Sequence, residues 1–118
     1  MTHEYTLLVG GLVLTGADGP DVAAIAWAHG TVLALGTEGE VRAISRGDSH
    51  GLDADGGFIV PIGEDGAVQW PPTSTLEVGG PADLAVLAAD PRLSAASLPL
   101  VRAVVRGGHV VEGALRSG

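Results

Sequence analysis

The clearest structural signal in the chain reads LVRAVVRGGHVVE, residues 100–112. Over residues 101–106 an apolar side chain recurs at every second position, which is the period of a strand with one buried face. Gly107-Gly108 then turns the chain into a second apolar run that begins at His109. The stretch therefore predicts two strands joined by a tight turn.

Short apolar runs separated by glycine continue towards the N-terminus. Residues 22–28 and 31–35 are joined by His29-Gly30, a two-residue turn that ends in glycine and predicts a β-hairpin. Residues 38–45 break this rhythm and predict a helical turn, because Val41 and Ile44 are three positions apart. Another helical turn is predicted at 93–97. The predicted strands lie at 5–9, 12–15, 22–28, 31–35, 58–60, 83–88, 100–106 and 109–112, with Leu52 as a further candidate.

These patterns predict an all-β fold, a β-sandwich of about eight short strands with one or two short helical turns. The length of 118 residues fits one domain, 1–118. Residues 62–75 lack a strand pattern and contain the stiff Pro71-Pro72, so we interpret them as a linker. This linker divides the domain into an N-terminal half, 1–61, and a C-terminal half, 76–113.

The composition argues against several classes of partner. The formal net charge of −8 disfavours nucleic acid and anionic membranes, because both attract basic surfaces. The chain has no cysteine, which excludes disulfides and thiolate chemistry and favours the cytoplasm. No signal peptide is expected at the N-terminus, and no apolar run approaches the roughly 18 residues that span a bilayer. We therefore expect a soluble, acidic, cytoplasmic protein without nucleic-acid or membrane partners.

The segments at residues 7–15, 24–36, 52–61, 76–91 and 101–112 follow one another in the order and spacing of a known family. They resemble segments of the amidohydrolase superfamily of metal-dependent hydrolases. Residues 7–15, together with 24–36, resemble the opening strands of that family. LDADGGFIVP, residues 52–61, is similar to the segment that leads into its catalytic barrel. LEVGGPADLAVLAADP, residues 76–91, is similar to the segment that leaves the barrel, and residues 101–112 match the last hairpin. The resemblance, to imidazolonepropionases and dihydroorotases among others, implies the composite β-sandwich domain of these enzymes.

The same resemblance implies that the catalytic part is missing. In the family, the proline that matches Pro61 is followed by a metal-binding H-x-H pair and a (β/α)₈ barrel of about 200 residues or more. Here Ile62 follows without a histidine, and only residues 62–75 separate Pro61 from Leu76. The chain also has no lysine to bridge metals. We therefore predict no catalytic, cofactor-binding or metal-binding residue, and no hydrolysis of carbon–nitrogen bonds by this chain alone.

The remaining polar residues do not form a recognisable site in the sequence. Zinc hydrolysis needs about three protein ligands, and no two of the four histidines share a helix or strand spacing. Asp48-Ser49-His50 contains the residue types of a catalytic triad, but neighbouring side chains point to different faces. Asp83 is interpreted as a turn or capping residue. The histidines are His3, His29, His50 and His109, and the acids interpreted as solvated turn residues are Asp53, Asp55, Glu64 and Asp65.

Several functions remain open at this point. The first is a catalytically inactive, stand-alone structural or oligomerisation module. The alternatives are an accessory sandwich completed by a separate barrel, a truncated form of a larger hydrolase, and a small-molecule binder that uses a cleft between the sheets. Without a barrel, an apolar face that includes Trp70 is predicted to join copies of the chain. Alternatively, Trp70 folds back over the core.

Overall fold

The computed structural model describes residues 5–44, 49–93 and 100–117. These residues form two β-sheets, one short α-helix and one 3-10 turn, which confirms the predicted fold class. The described part has more strands than predicted, because a bend at residue 23 divides the predicted run 22–28 and a short strand forms at Arg116–Ser117. The strands are β1 (Tyr5–Val9), β2 (Leu12–Leu14), β3 (Asp21–Val22), β4 (Ala24–Ala28), β5 (Thr31–Gly36), β6 (Ser49–Asp53), β7 (Phe58–Pro61), β8 (Leu84–Leu87), β9 (Val101–Arg106), β10 (His109–Gly113) and β11 (Arg116–Ser117).

The six-stranded sheet combines strands from both halves of the chain, whereas the five-stranded sheet has four strands from the N-terminal half and β11 from beyond residue 113. The five-stranded sheet has the order β11-β6-β1-β4-β5, and the six-stranded sheet has the order β10-β9-β8-β7-β2-β3. Two pairings, β1 with β6 and β2 with β7, are parallel, and the others are antiparallel. Residues 62–83, of which 62–75 are the first part, connect β7 to β8, which lie side by side in one sheet. The chain therefore leaves and rejoins the same sheet across this segment.

The core lies between the two sheets and follows from the alternation of side chains along each strand. In β9, Ala103 and Val105 face the inner core while Val104 points to the opposite face of the sheet. Burying apolar area of this kind contributes about 25 cal/mol per Å². The inner core contains Leu8, Val13, Ile25, Trp27, Val32, Leu52, Ala54, Ile59, Leu76, Ala82, Leu84, Val86, Ala103 and Val105.

The helix α1 (Glu38–Ile44) covers the outer face of the five-stranded sheet. Its Val41 is fully buried and packs on apolar residues of β1, β4 and β5. The helix begins with a capping box, in which Thr37 and Glu40 bond each other's backbone N–H groups at 3.1 and 3.2 Å. These hydrogen bonds lower the pKa of the Glu40 carboxyl. The predicted helical turn at 38–45 is confirmed over the helix, and residue 45 lies outside the described residues.

The second predicted helical turn is only partly covered by the structure. A 3-10 turn is present at Pro91–Leu93, slightly before the predicted range of 93–97. Residues 94–97 lie outside the described residues. Asp90 accepts hydrogen bonds from the backbone N–H and the guanidinium of Arg92, and the side-chain bond lowers the pKa of Asp90. This local acceptor explains why the turn forms directly after Asp90.

Candidate functional site

Residues 62–75, the segment that stands where the resemblance implies a barrel, lie across the outer face of the six-stranded sheet. That face carries an apolar patch, called here the outer cluster: Leu14, Val60, Ile62, Ala85, Leu87 and Val104. Val68 and Trp70 from the segment pack against this cluster, and both side chains are partly buried. Residues 62–75 of the same chain therefore cover the outer cluster.

Hydrogen bonds close the two ends of this segment on each other and on the sandwich. The Ser74 hydroxyl donates to the Ile62 carbonyl at 2.9 Å, which joins the end of the segment to its beginning. The Leu76 N–H donates to the Thr15 carbonyl at 2.7 Å, and Leu76 itself belongs to the inner core. Near the beginning of the segment, the Arg106 guanidinium donates to the Glu64 carbonyl at 2.8 Å. The segment is thus anchored at its ends and at one internal point.

Replacing Ser74 with alanine is expected to lower the free energy of unfolding by about 1 kcal/mol. The substitution leaves the Ile62 carbonyl without its hydroxyl donor, and Ile62 is only 3% exposed. Urea denaturation followed by circular dichroism measures the change. Thr73→Ala, at an exposed neighbouring position, is the control and is expected to change stability by less than about 0.5 kcal/mol. Equal effects for the two variants would contradict the closing role of Ser74.

Trp70 has an intramolecular role in the structure. Its ring packs on the outer cluster, as in the alternative interpretation that it folds back over the core. Part of the side chain remains accessible to solvent. Association of copies through a face that includes Trp70 stays a prediction. Trp27 differs from Trp70, because it is 2% exposed and lies in the inner core.

A cleft of about 370 Å³ opens beside the closed ends of the segment. Three carboxylates line it, from Glu64, Glu77 and Asp83. Asp83 already accepts a hydrogen bond from the Gly107 N–H at 2.7 Å, so one of its oxygens holds the β9–β10 turn in place. The other lining residues are Ile62, Ser74, Thr75, Leu76 and Pro81. The lining thus combines three carboxylates with the apolar side chains of Ile62, Leu76 and Pro81.

Two of the acids interpreted as turn residues accept hydrogen bonds from backbone N–H groups. Asp53 accepts from the Asp55 N–H at 2.7 Å, and Asp65 accepts from the Ala67 N–H at 3.0 Å. Asp55 has a φ of 52°, in the left-handed region that Asp tolerates in turns. Together with Asp83, these contacts favour a structural role for the acids.

The histidines lie on separate elements. His29 is in the β4–β5 turn with a φ of 53°, His50 is in β6, and His109 begins β10. His3 and Asp48 lie outside the described residues. Within residues 5–44, 49–93 and 100–117, no three His, Asp or Glu side chains come close enough to hold a metal ion. The prediction that the chain has no catalytic or metal-binding residue stays a prediction.

Two contacts between distant residues were not predicted from the sequence. The Trp27 Nε1–H donates to the Gly108 carbonyl at 3.0 Å and so ties the five-stranded sheet to the β9–β10 turn. A Cβ at Gly108 would lie 2.9 Å from Trp27 Cδ1, so glycine is required there. The Arg92 guanidinium bonds Asp21 as well as Asp90, each at 2.8 Å. The glycine pair at 107–108 was a signal for the first contact, whereas no local pattern points to the second.

Comparisons with known proteins give limited similarity. No known protein-family model and no curated protein matches the chain. The structure is similar to that of an uncharacterized metal-dependent hydrolase from Pyrococcus horikoshii OT3, with a TM-score of 0.44 and 21% identity over 49% of this chain and 12% of that chain. An uncharacterized metal-dependent hydrolase from Pyrococcus furiosus is similar with a TM-score of 0.41 and 19% identity over 49% of this chain and 13% of that one. The matched region is thus a small part of either hydrolase.

The described residues include no helix that has both the length and the apolar character needed to cross a membrane.

Proposed function

We propose that this chain is a barrel-less relative of the amidohydrolases that acts as a stand-alone structural module and does not hydrolyse carbon–nitrogen bonds on its own. The observation that carries the proposal is the closure of residues 62–75 over the outer cluster. Ser74 bonds Ile62 across the base of the segment, and Trp70 packs on the sheet. The sandwich therefore completes both of its sheets without a second domain between β7 and β8.

The chemistry of the side chains supports the same proposal. A hydrolytic zinc site uses about three protein ligands and keeps one position open for water. The described histidines are in a turn, in β6 and at the start of β10, and the carboxylates of Asp53 and Asp83 accept hydrogen bonds from backbone N–H groups. The chain has no lysine for a bridging carboxylate. The available donors therefore favour a structural protein over a hydrolase.

The proposal predicts that the purified chain binds no stoichiometric metal and has no hydrolytic turnover. The chain is incubated with zinc, cobalt or manganese, desalted, and analysed by plasma mass spectrometry. It is then assayed by ultraviolet absorbance against a cyclic amide and an imidazolone. We expect well under one metal per chain, and we expect substrate loss equal to that without protein.

A variant that carries His29→Gln, His50→Gln and His109→Gln serves as the matched control, because it removes every histidine of the described residues. Residual turnover that is equal in both proteins would come from a contaminating hydrolase and would leave the proposal standing. One metal per chain, together with turnover that the triple variant loses, would overturn it.

A further inference from the structure

Among the described residues the two sheets have four edges, and three of these are short or partly covered. The edge strands β3 and β11 have only two residues each. The edge of β5 is bonded by the segment before β8: the Val32 N–H donates to the Gly80 carbonyl at 2.9 Å, and the Gly79 N–H donates to the Val32 carbonyl at 2.8 Å. Among the described residues, β10 is the remaining edge, and its single strand neighbour is β9.

The edge strand β10 has few of the features that usually prevent pairing with another chain. Natural edge strands are commonly protected by lysine, proline, very short length or a bulge. β10 is five residues long, every one of them is exposed, and it contains neither lysine nor proline. Its centre is apolar, with Val110 at 41% and Val111 at 55% exposure.

Besides the charged Glu112, β10 has one protective feature, a bulge at Val111, and the bulge changes which side chains share a face. The pairing with β9 places His109 opposite Arg106 and Glu112 opposite Val104, with a register shift between Val110 and Glu112. Val104 points to the outer face, and Arg106, two residues further along β9, points the same way. His109 and Glu112 therefore both lie on the outer face, although residues three apart in a regular strand point to opposite faces.

We propose that a second copy of this chain pairs with β10 edge to edge in the antiparallel sense, about a two-fold axis that passes through the bulge. This pairing joins the two six-stranded sheets into one continuous sheet. It places His109 of each copy opposite Glu112 of the other, on the shared outer face. Val110 and Val111 of the two copies then meet at the centre.

The sequence His109-Val110-Val111-Glu112 favours a second copy over an unrelated strand. When two copies of this segment lie antiparallel, an imidazole faces a carboxylate at each end, and valines face valines in the middle. Opposed pairs of this kind contribute roughly 0.2–1 kcal/mol each relative to alanine pairs. Across a two-fold axis each residue pair occurs twice, whereas an unrelated peptide would match the segment at both ends only by chance.

The overall charge opposes this association and makes it depend on salt. Each copy carries a formal charge of −8, so two copies repel one another at long range. The screening length is about 8 Å at 0.15 M ionic strength, whereas the backbone and valine contacts at the edge are at short range. Association is therefore expected to strengthen when sodium chloride is raised from low to physiological concentration.

The experiment compares Val111→Lys with Ile44→Lys by sedimentation equilibrium, from micromolar to millimolar protein. The two positions are matched in exposure, at 55% and 54%, but Ile44 is at the end of α1. We expect the wild type and Ile44→Lys to form a two-chain species, and we expect Val111→Lys to weaken its dissociation constant by about tenfold or more, because two ammonium groups meet at the axis. A wild type that stays a single chain at millimolar protein, or Val111→Lys dimers of unchanged affinity, would overturn the proposal.

A charge exchange tests the register itself. His109→Glu sets two carboxylates against each other, and Glu112→His sets two imidazoles against each other, so each single variant is expected to dimerise more weakly. The double variant restores an unlike pair at both ends and is expected to return to within about threefold of the wild-type constant. A double variant as weak as the singles, with an unchanged unfolding midpoint, would exclude this register. The inference goes beyond the proposed function, since a hydrolytically active chain would pair through the same edge.

Discussion

Replacing Trp27 with alanine is expected to lower the free energy of unfolding by about 3–5 kcal/mol. The ring is 2% exposed and fills the inner core between the two sheets. The substitution also removes the donor to the Gly108 carbonyl, at 3.0 Å, which connects β4 to the β9–β10 turn. Small domains are stable by about 5–15 kcal/mol in total, so this loss is a large share of the stability. Urea denaturation followed by far-ultraviolet circular dichroism measures it without relying on tryptophan fluorescence.

Trp70→Ala is the matched control, because the same atoms are deleted from a ring that is only partly buried on the outer cluster. It is expected to cost roughly 1–2 kcal/mol, in proportion to the smaller area removed from water. Trp27→Phe separates the two contributions at position 27, since it keeps an aromatic ring and removes the donor to Gly108. An equal loss for Trp27→Ala and Trp70→Ala would contradict the prediction, because the buried ring in the inner core would then contribute no more stability than the partly buried ring on the outer cluster.

The fold class could be predicted because local patterns in this chain agree with its tertiary structure. The alternation at 101–106 became β9, with Ala103 and Val105 inside and Val104 outside. The turn at His29-Gly30 joins β4 to β5 as expected, with positive φ values of 53° and 77° at the two residues. The hydrophobic alternation and the turn residues each involve only a few neighbouring positions, so both can be recognised in a single sequence.

Pairing between distant segments could not be predicted in the same way. The parallel pairs of β1 with β6 and of β2 with β7 join strands that are separated by whole hairpins, and no local pattern encodes their register. Residues 62–75 have no periodicity, and their position depends on an apolar face that exists only when the sheet is assembled. The ion pair of Arg92 with Asp21 spans 71 positions. These features depend on the completed fold.

The same distinction between local patterns and long-range contacts applies to the candidate site. The lack of a metal-binding motif after Pro61 was visible in the sequence, because it concerns adjacent residues. The carboxylates of Glu64, Glu77 and Asp83 line one cleft only because the closed segment brings 62–64 beside 74–83. The unprotected edge at β10 needed the structure too, since edges are defined by sheet order. The bulge at Val111, which sets the faces of His109 and Glu112, was likewise absent from the alternation pattern.

Replacing Gly113 with alanine is expected to lower the free energy of unfolding by about 2–4 kcal/mol, from two independent effects. Gly113 has a φ of +70°, where a residue with a Cβ is strained by roughly 1–2 kcal/mol. An added Cβ would also overlap the Arg102 carbonyl oxygen and lie 2.9 Å from the Ala103 Cα, both in the backbone of β9. Relieving such overlap moves a strand and costs about 1–3 kcal/mol. Thermal and urea denaturation measure the sum.

Gly79→Ala is the matched control, because it carries the first effect alone, and the difference between the two variants isolates the second. Gly79 has a φ of +90°, and an added Cβ would meet nothing within 4 Å, so only the backbone strain remains. Both substitutions reduce the freedom of the unfolded chain equally, by about 0.4–1 kcal/mol, and this contribution cancels in the comparison. The excess loss for Gly113→Ala therefore reports how tightly β10 is held against β9. If the two losses were the same, β10 would be loosely attached, and the free edge that it presents would be poorly ordered for pairing with a second copy.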